Sequence, residues 1–135
     1  MKIVIGITPV TKKTHQQIIR VHGKPIVIPS KQYRKYEKDC APFLLPYAHQ
    51  NIKDRVNVCC KYYMPTKRRV DLTNLLQSTM DLLVAYGILA DDNSNIVASM
   101  DGSRVLYSKD NPRTEIHINK FTENANSSII KESQE

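Results

Sequence analysis

Alternation of apolar and polar residues over short stretches is typical of β-strands that bury one face. Three stretches of the chain alternate in this way, namely Lys2–Val10, Asp54–Tyr63 and Thr114–Phe121. Pro65 follows the second stretch and has no N–H group for a sheet hydrogen bond, so we expect that strand to end there. The pattern therefore predicts strands near the beginning, the middle and the end of the chain.

Two further segments are predicted to be hairpins, because a turn containing glycine separates two short apolar stretches in each. The first hairpin lies between residues 12 and 29 and turns at Gly23. The second joins Asn95–Met100 to Ser103–Ser108 through Asp101–Gly102, a dipeptide that favours a two-residue turn.

Two helices are predicted between these strands. Ser30 has a side chain suited to an N-cap and precedes a helix over Lys31–Cys40. From Leu72 onward the apolar residues recur at every third or fourth position, which defines one buried helix face, and Gly87 ends the pattern.

The order of these elements predicts a single α+β domain over residues 1–121, with helices packed on a mixed, mainly antiparallel sheet. Residues 122–135 are polar and rich in Asn and Ser, and their apolar residues show no periodicity. We therefore expect this last segment to be a disordered tail.

The net charge of +7 is unevenly distributed along the chain. Residues 1–70 contain fifteen Lys/Arg and three Asp/Glu, whereas residues 71–135 contain five and ten. A basic surface is the usual electrostatic feature of a nucleic-acid-binding protein, although a solvated basic face without a partner also explains such a charge. The candidate phosphate contacts lie on the first hairpin and in the segment after Pro65: Lys12, Lys13, Arg20, Lys24, Lys67, Arg68 and Arg69.

Carboxylates follow this basic half of the chain. Asp71 comes two residues after Arg69, and Asp91 and Asp92 follow the second predicted helix. Mg²⁺ takes oxygen ligands and keeps several waters, so two or three converging carboxylates hold it against a phosphate. We predict that Asp71 and Asp92, helped by Asp91, bind Mg²⁺ for phosphodiester hydrolysis. Two structural alternatives stay open: Asp71 could serve as an N-cap, and Asp91–Asp92 could serve only as turn residues.

Other chemistries find little support in the sequence. Cys40, Cys59 and Cys60 have no spacing typical of zinc ligands, and their odd number suggests no disulfide framework. His117 shares a predicted strand face with Glu115, which is more readily explained as a surface pair than as a proton-transfer pair. The tyrosines form no evident stacking platform for RNA. The opening apolar run is too short for a signal peptide or a membrane span, so we expect a cytoplasmic protein without a membrane partner.

One segment carries a specific combination of these features. Met64–Pro65 ends a strand, the run Arg68–Arg69–Val70–Asp71–Leu72–Thr73–Asn74–Leu75 begins a helix, and Gly87 and then Asp91–Asp92 follow it. This arrangement resembles the signature of the RusA family of Holliday junction resolvases, and a looser likeness extends over residues 3–121. The resemblance implies a RusA-like fold and a small homodimeric, Mg²⁺-dependent endonuclease, with Mn²⁺ as an alternative metal, that cuts four-way DNA junctions symmetrically.

The resemblance also implies where such a protein acts and which residues it uses. Proteins of this family are often carried by phages and prophages, and they would act on recombining DNA in the cytoplasm of a bacterial host. Asp71 and Asp92 would be the metal-binding catalytic residues, and the cations before Asp71 would contact DNA.

Two positions depart from the family pattern. The family usually reads Asp-x-Asp-Asn, and the second Asp is Thr73 in this chain, followed by the expected Asn74. The family lysine one helical turn further on is Gln77. Asp91 or Asp101 could replace the missing carboxylate, and Thr73, Asn74 and Gln77 could have accessory roles. The alternative is a non-catalytic basic protein that binds branched DNA without cutting it.

The distance between Asp71 and Asp92 raises a geometric question. A helix from Asp71 to Tyr86 would be roughly 24 Å long, whereas residues 87–92 reach at most about 20 Å when fully extended. Either the helix begins later, near Asn74, or Asp92 comes from a partner subunit. We favour the late start, because Thr73 or Asn74 could serve as a late N-cap.

Overall fold

The computed structural model describes residues 1–12 and 17–123. The strands are β1 Lys2–Ile5, β2 Gln17–Val21, β3 Lys24–Ile28, β4 Val56–Met64, β5 Val97–Ser99, β6 Arg104–Tyr107 and β7 Arg113–Lys120. The helices are α1 Lys31–Asp39, α2 Ala41–Leu44 and α3 Leu72–Ala85, and a 3-10 turn covers Leu45–Tyr47. Apart from Thr122 and Glu123, the tail predicted over residues 122–135 lies outside the described residues.

The larger sheet is mixed, with the strand order β1-β7-β4-β5, and β6 pairs further along β4. β7 is antiparallel to both β1 and β4, whereas β5 and β6 are parallel to β4. α3 connects β4 to the parallel β5 and so forms a β-α-β unit. The helices pack against one face of this sheet, which confirms the predicted α+β class.

The core lies between this sheet and the helices. The alternation of β4 buries Val58, Cys60 and Tyr62 and leaves the residues between them half-buried. Tyr62 and Thr79 share a hydrogen bond of 2.7 Å between their hydroxyl oxygens, which joins the middle of β4 to α3. Burial raises the pKa of the Cys60 thiol to about 12 and that of Cys40 to about 11, so both thiols stay protonated and have a packing role.

The local signals at α1 and at the first hairpin are confirmed. The Ser30 hydroxyl accepts a hydrogen bond of 3.1 Å from the Tyr33 backbone N–H, as an N-cap does. β2 and β3 pair with each other around a turn in which His22 and Gly23 both have positive φ, of 51° and 78°. This hairpin forms a separate two-stranded sheet whose residues are almost all exposed.

The first strand is shorter than the alternation from Lys2 to Val10 predicts. β1 ends at Ile5, which pairs with Thr114 near the start of β7. Beyond that point β7 offers at most one further residue as a partner, and the chain leaves the sheet at Gly6. Residues 7–10 therefore form a loop instead of the second half of a strand.

The predicted second hairpin is wrong. β5 and β6 do not reverse direction at Asp101–Gly102; both run parallel to β4, one after the other. The Asn57 side chain accepts a hydrogen bond of 2.8 Å from the Asp101 N–H and donates one of 3.3 Å to the Asp101 carbonyl oxygen. The Ser103 hydroxyl accepts a hydrogen bond of 3.0 Å from the Cys60 N–H. Side-chain hydrogen bonds thus bridge the gap between β5 and β6. The Asp-Gly pair makes a local turn between two strands that run in the same direction.

Gly102 is expected to be essential to this turn. Its φ is +88°, and an added Cβ would lie 3.0 Å from the Cys59 sulfur. Gly102→Ala should therefore lower the free energy of unfolding by about 1–2 kcal/mol, measured by urea denaturation. Gly6→Ala is the matched control, because Gly6 is not among the positive-φ glycines and its added Cβ would make only an ordinary contact with Phe43. Equal stability of the two variants would contradict the strained turn.

Candidate active site

Asp71 lies directly before α3 and presents an exposed carboxylate. It occupies the N-cap position, with φ −85° and ψ 120°, but its side chain caps no backbone N–H. The Asn74 side-chain amide donates a hydrogen bond of 3.3 Å to one of its carboxylate oxygens. The N-cap alternative thus accounts for the position of Asp71 in the chain, but the structure gives its carboxylate no capping hydrogen bond.

The three cations Lys67, Arg68 and Arg69 lie in the exposed loop between β4 and α3. Lys67 places its ammonium group 5.3 Å from the centre of the Tyr107 ring. Within the described residues, neither arginine forms an ion pair. Arg69 lines the same cavity as Asp71 and Asn74. The loop therefore places arginines that form no ion pair within the described residues beside one carboxylate.

Asp91 and Asp92 lie in an exposed turn between α3 and β5. One Asp91 oxygen accepts a hydrogen bond of 2.7 Å from the Asp92 N–H, and the other accepts one of 3.1 Å from the Asn93 side-chain amide. Asp91 thus performs the turn role that was its structural alternative. The Asp92 carboxylate has no hydrogen-bond partner in the part of the chain that the structure describes.

Asp71 and the Asp91–Asp92 pair lie at opposite ends of α3. The helix has 14 residues, which corresponds to a length of about 21 Å. Beyond it, the Ile88 and Leu89 N–H groups both bond to the Leu83 carbonyl oxygen, so the chain stays at the far end of the helix. Leu89 then bridges to Ile52, before β4 begins, whereas Asp71 follows the end of β4.

The late helix start that we favoured from the sequence is wrong. α3 begins at Leu72, immediately after Asp71, and a hydrogen bond of 3.2 Å from the Leu75 N–H to the Asp71 carbonyl oxygen closes its first turn. Among residues 1–12 and 17–123, no three His, Cys, Asp or Glu side chains are grouped so that they could hold a metal ion. One copy of the described chain therefore does not bring Asp71 and Asp92 together.

The accessory residues fall into three places. Thr73 and Gln77 are exposed one turn apart on α3, and Asn74 contacts Asp71. Asp101 is held by its backbone in the turn beside Asn57, near the start of β4. Asp101 therefore lies near the start of β4, whereas Asp71 follows the end of that strand.

The cations predicted on the first hairpin also lie in different places. Arg20 and Lys24 are exposed and, by the strand register, lie on opposite faces of the hairpin. Lys12 instead forms an ion pair of 3.5 Å with Asp81, and its backbone N–H bonds to the Ser78 hydroxyl, which ties this segment to α3. Lys13 lies outside the described residues.

The Glu115–His117 pair expected on one strand face is present on β7. The carboxylate of Glu115 lies 3.9 Å from the His117 imidazole and accepts a hydrogen bond of 2.7 Å from Arg113. This hydrogen bond from Arg113 is the main cause that holds the pKa of Glu115 below its usual range. The Glu115 and His117 side chains are both partly buried, and the ion pairs of Glu115 with Arg113 and with Lys2 account for the position of its carboxylate without a role in proton transfer.

Sequence reasoning missed a groove that continues from the Asp71 cavity. A cavity of about 230 Å³ is lined by the loop after β1, by Gln32 of α1 and by the loop after β4. It shares Thr11, Arg69 and Val70 with the cavity that contains Asp71. No local pattern could have revealed it, because its walls come from three distant segments.

One comparison with known proteins identifies a matching family. A family model described as "Endodeoxyribonuclease RusA" matches residues 7–119, which is most of the chain. No curated protein matches the chain. None of the described helices is both long and apolar enough to cross a membrane.

Proposed function

Because the chain belongs to the endodeoxyribonuclease RusA family, whose members are structure-selective nucleases of Holliday junctions, we propose that it hydrolyses phosphodiesters at such junctions in an acidic site that two copies of the chain assemble. Asp71 comes from one copy and Asp92 from the other. The observation that carries this proposal is the exposed Asp71 carboxylate, which shares a cavity with Arg69, an arginine without an ion pair within the described residues, while Asp92 lies at the opposite end of α3.

Family nucleases of this kind depend on divalent metal ions, and we propose Mg²⁺, with Mn²⁺ as an alternative. The donor set fits such an ion, because Asp71, Asp91 and Asp92 offer only carboxylate oxygens and Mg²⁺ prefers oxygen ligands. Asp71 and Asp92 would bind it, and Asp91, which already accepts two hydrogen bonds, would help to orient the turn. When bound, the ion would lower the pKa of the attacking water and neutralise charge on the phosphate.

The residues of this chain perform the remaining steps. Arg68 and Arg69 contact the phosphates and stabilise the negative charge that grows in the transition state. The Asn74 amide donates to one Asp71 oxygen and so fixes the direction in which the other oxygen points. Thr73 replaces the second acid of the family pattern with a neutral hydroxyl, which would leave the site dependent on a carboxylate from elsewhere.

A twofold homodimer suits both the substrate and the geometry. A four-way junction offers two equivalent strands, and a twofold dimer would place one assembled site at each of them. Each α3 would supply Asp71 at one end to one site and Asp92 at its other end to the second site. The two ends of one α3, about 21 Å apart, would thus contribute to two active sites instead of one.

Alanine at Arg68 and Arg69 should weaken binding to junction DNA and to duplex DNA alike. Each lost phosphate contact should lower the slope of log K against log salt by about 0.9, because one fewer counterion is released. Fluorescence anisotropy between 50 and 200 mM salt measures this slope. Arg55→Ala is the matched control, because Arg55 lies before β4 and contacts Glu123 and Phe121. An unchanged slope in the double variant would place these arginines off the DNA.

The proposed function is tested by incubating a labelled four-way junction and a duplex of the same sequence with the protein. We expect paired symmetric nicks in the junction when Mg²⁺ or Mn²⁺ is present, and none in the duplex or with a chelator. Selective binding of the junction without nicking in either metal would instead identify the protein as the non-catalytic binder.

A further inference from the structure

The groove beside Asp71 combines surfaces of two kinds. Its cavity of about 230 Å³ has apolar walls from Pro9, Met64 and Pro65, while Thr8 and Gln32 add polar groups. Arg68 and Arg69 also line it, and among residues 1–12 and 17–123 no acidic side chain does. Apolar walls with a few polar groups are typical of sites that hold a small ligand.

The size of the cavity limits what it can hold. Pockets for drug-sized molecules measure roughly 300–1,000 Å³, so this one suits a single planar ring system better than a whole nucleotide. Arginine at its edge favours a ring that is attached to a phosphate. A nucleobase of the DNA strand that passes Asp71 meets both conditions.

Gln32 is the side chain best placed to distinguish one base from another. It is the second residue of α1 and is exposed, and within the described residues it has no hydrogen-bond partner. Its amide offers a donor and an acceptor side by side, which can pair with the edge of a base. The Ser30 cap fixes the start of α1 and therefore the position from which Gln32 reaches the cavity.

We propose that this cavity binds one unpaired base next to the scissile phosphate, and that Gln32 selects which base it is. The inference rests on the proposed function, because it assumes that the DNA strand passes Asp71. Bases at the centre of a four-way junction are more easily removed from the stack than bases within a duplex, since an unpaired or poorly stacked base needs less energy to extrude. A nuclease that selects DNA by its branched structure would therefore also prefer one base next to the scissile phosphate.

The preference is measured on a set of junctions in which the four bases near the crossover are varied. We expect the wild-type protein to favour one base at one position by roughly 5- to 100-fold, the range of a two-point base contact. Gln32→Leu should reduce that preference to below about 3-fold while it still cuts the best junction. Gln50→Leu is the matched control, because Gln50 is also exposed but is not among the residues that line this cavity. A preference that survives Gln32→Leu would overturn the role of Gln32.

A binding measurement separates failure of this proposal from failure of the proposed function. The fluorescent base 2-aminopurine is placed at each position around the crossover, and Ca²⁺ replaces Mg²⁺ so that binding is observed without cutting. We expect fluorescence to rise severalfold at one position and to stay low there with Thr8→Tyr, because Thr8 lines the cavity and the larger side chain would occupy part of its volume. A rise that Thr8→Tyr does not change would contradict the base site. A lack of nicking by the wild-type protein would contradict only the proposed function.

Discussion

Asp71→Asn should lower the rate of junction cleavage by roughly a hundredfold or more while binding stays unchanged or becomes tighter. The substitution keeps the shape of the side chain and the contact with Asn74 but removes the negative charge that would hold the metal ion. Loss of a carboxylate also reduces repulsion of the phosphate backbone, so affinity for the junction should not fall. Single-turnover cleavage and anisotropy binding on the same labelled junction measure both effects.

Asp54→Asn is the matched control for this substitution. Asp54 is an exposed carboxylate just before β4, and the described structure shows no hydrogen bond or ion pair of its side chain. We expect its cleavage rate to stay within about twofold of wild type, since an isolated surface charge has little effect. Near-normal Mg²⁺-dependent cleavage by Asp71→Asn would exclude Asp71 from the site.

The elements that the sequence predicts correctly are those whose signals are local. Ser30 caps α1 with its own hydroxyl, and His22–Gly23 turn the first hairpin through their own backbone angles. The apolar positions from Leu72 to Leu83 define the buried face of α3 without reference to any other strand. In each case the residues from which the element is predicted also form the contacts or backbone angles that define it.

The elements that the sequence predicts wrongly depend on distant partners. Asp101–Gly102 favours a tight turn, but two contacts tie this turn to β4. The Asn57 side chain bonds to Asp101 and the Ser103 hydroxyl bonds to the Cys60 N–H, and each contact joins residues more than forty positions apart. The strand that follows can therefore continue parallel to β4 instead of reversing. The end of β1 depends likewise on where β7 begins, which residues 6–10 do not encode.

The candidate site shows the same limit. Arg69, Asp71 and Asn74 are neighbours in the sequence, and their convergence follows from the helix start alone. The groove with Gln32 needs three segments to fold together, so it has no sequence signature. The sequence pairs Asp92 with Asp71 as candidate ligands and already raises the question of their separation, but only the start of α3 at Leu72 answers it, because that start leaves them at opposite ends of the helix.

The central claim, that two copies of the chain share each acidic site, is tested most directly by mixing two inactive variants. Asp71→Asn and Asp92→Asn should each lose cleavage as homodimers, because every assembled site then lacks one carboxylate. A heterodimer of the two would contain one site with both carboxylates lost and one site with both intact. Differently tagged subunits, unfolded and refolded together and then purified by both tags, provide this heterodimer.

The measurement is the number of strands nicked per junction by the purified heterodimer in Mg²⁺. The shared site predicts that nicking of one strand recovers to about half of the wild-type total, without the paired cut that resolves a junction. A site within each subunit would leave both sites damaged, and the heterodimer would then be as inactive as either parent. Absence of nicking by a heterodimer that still binds the junction would contradict the account.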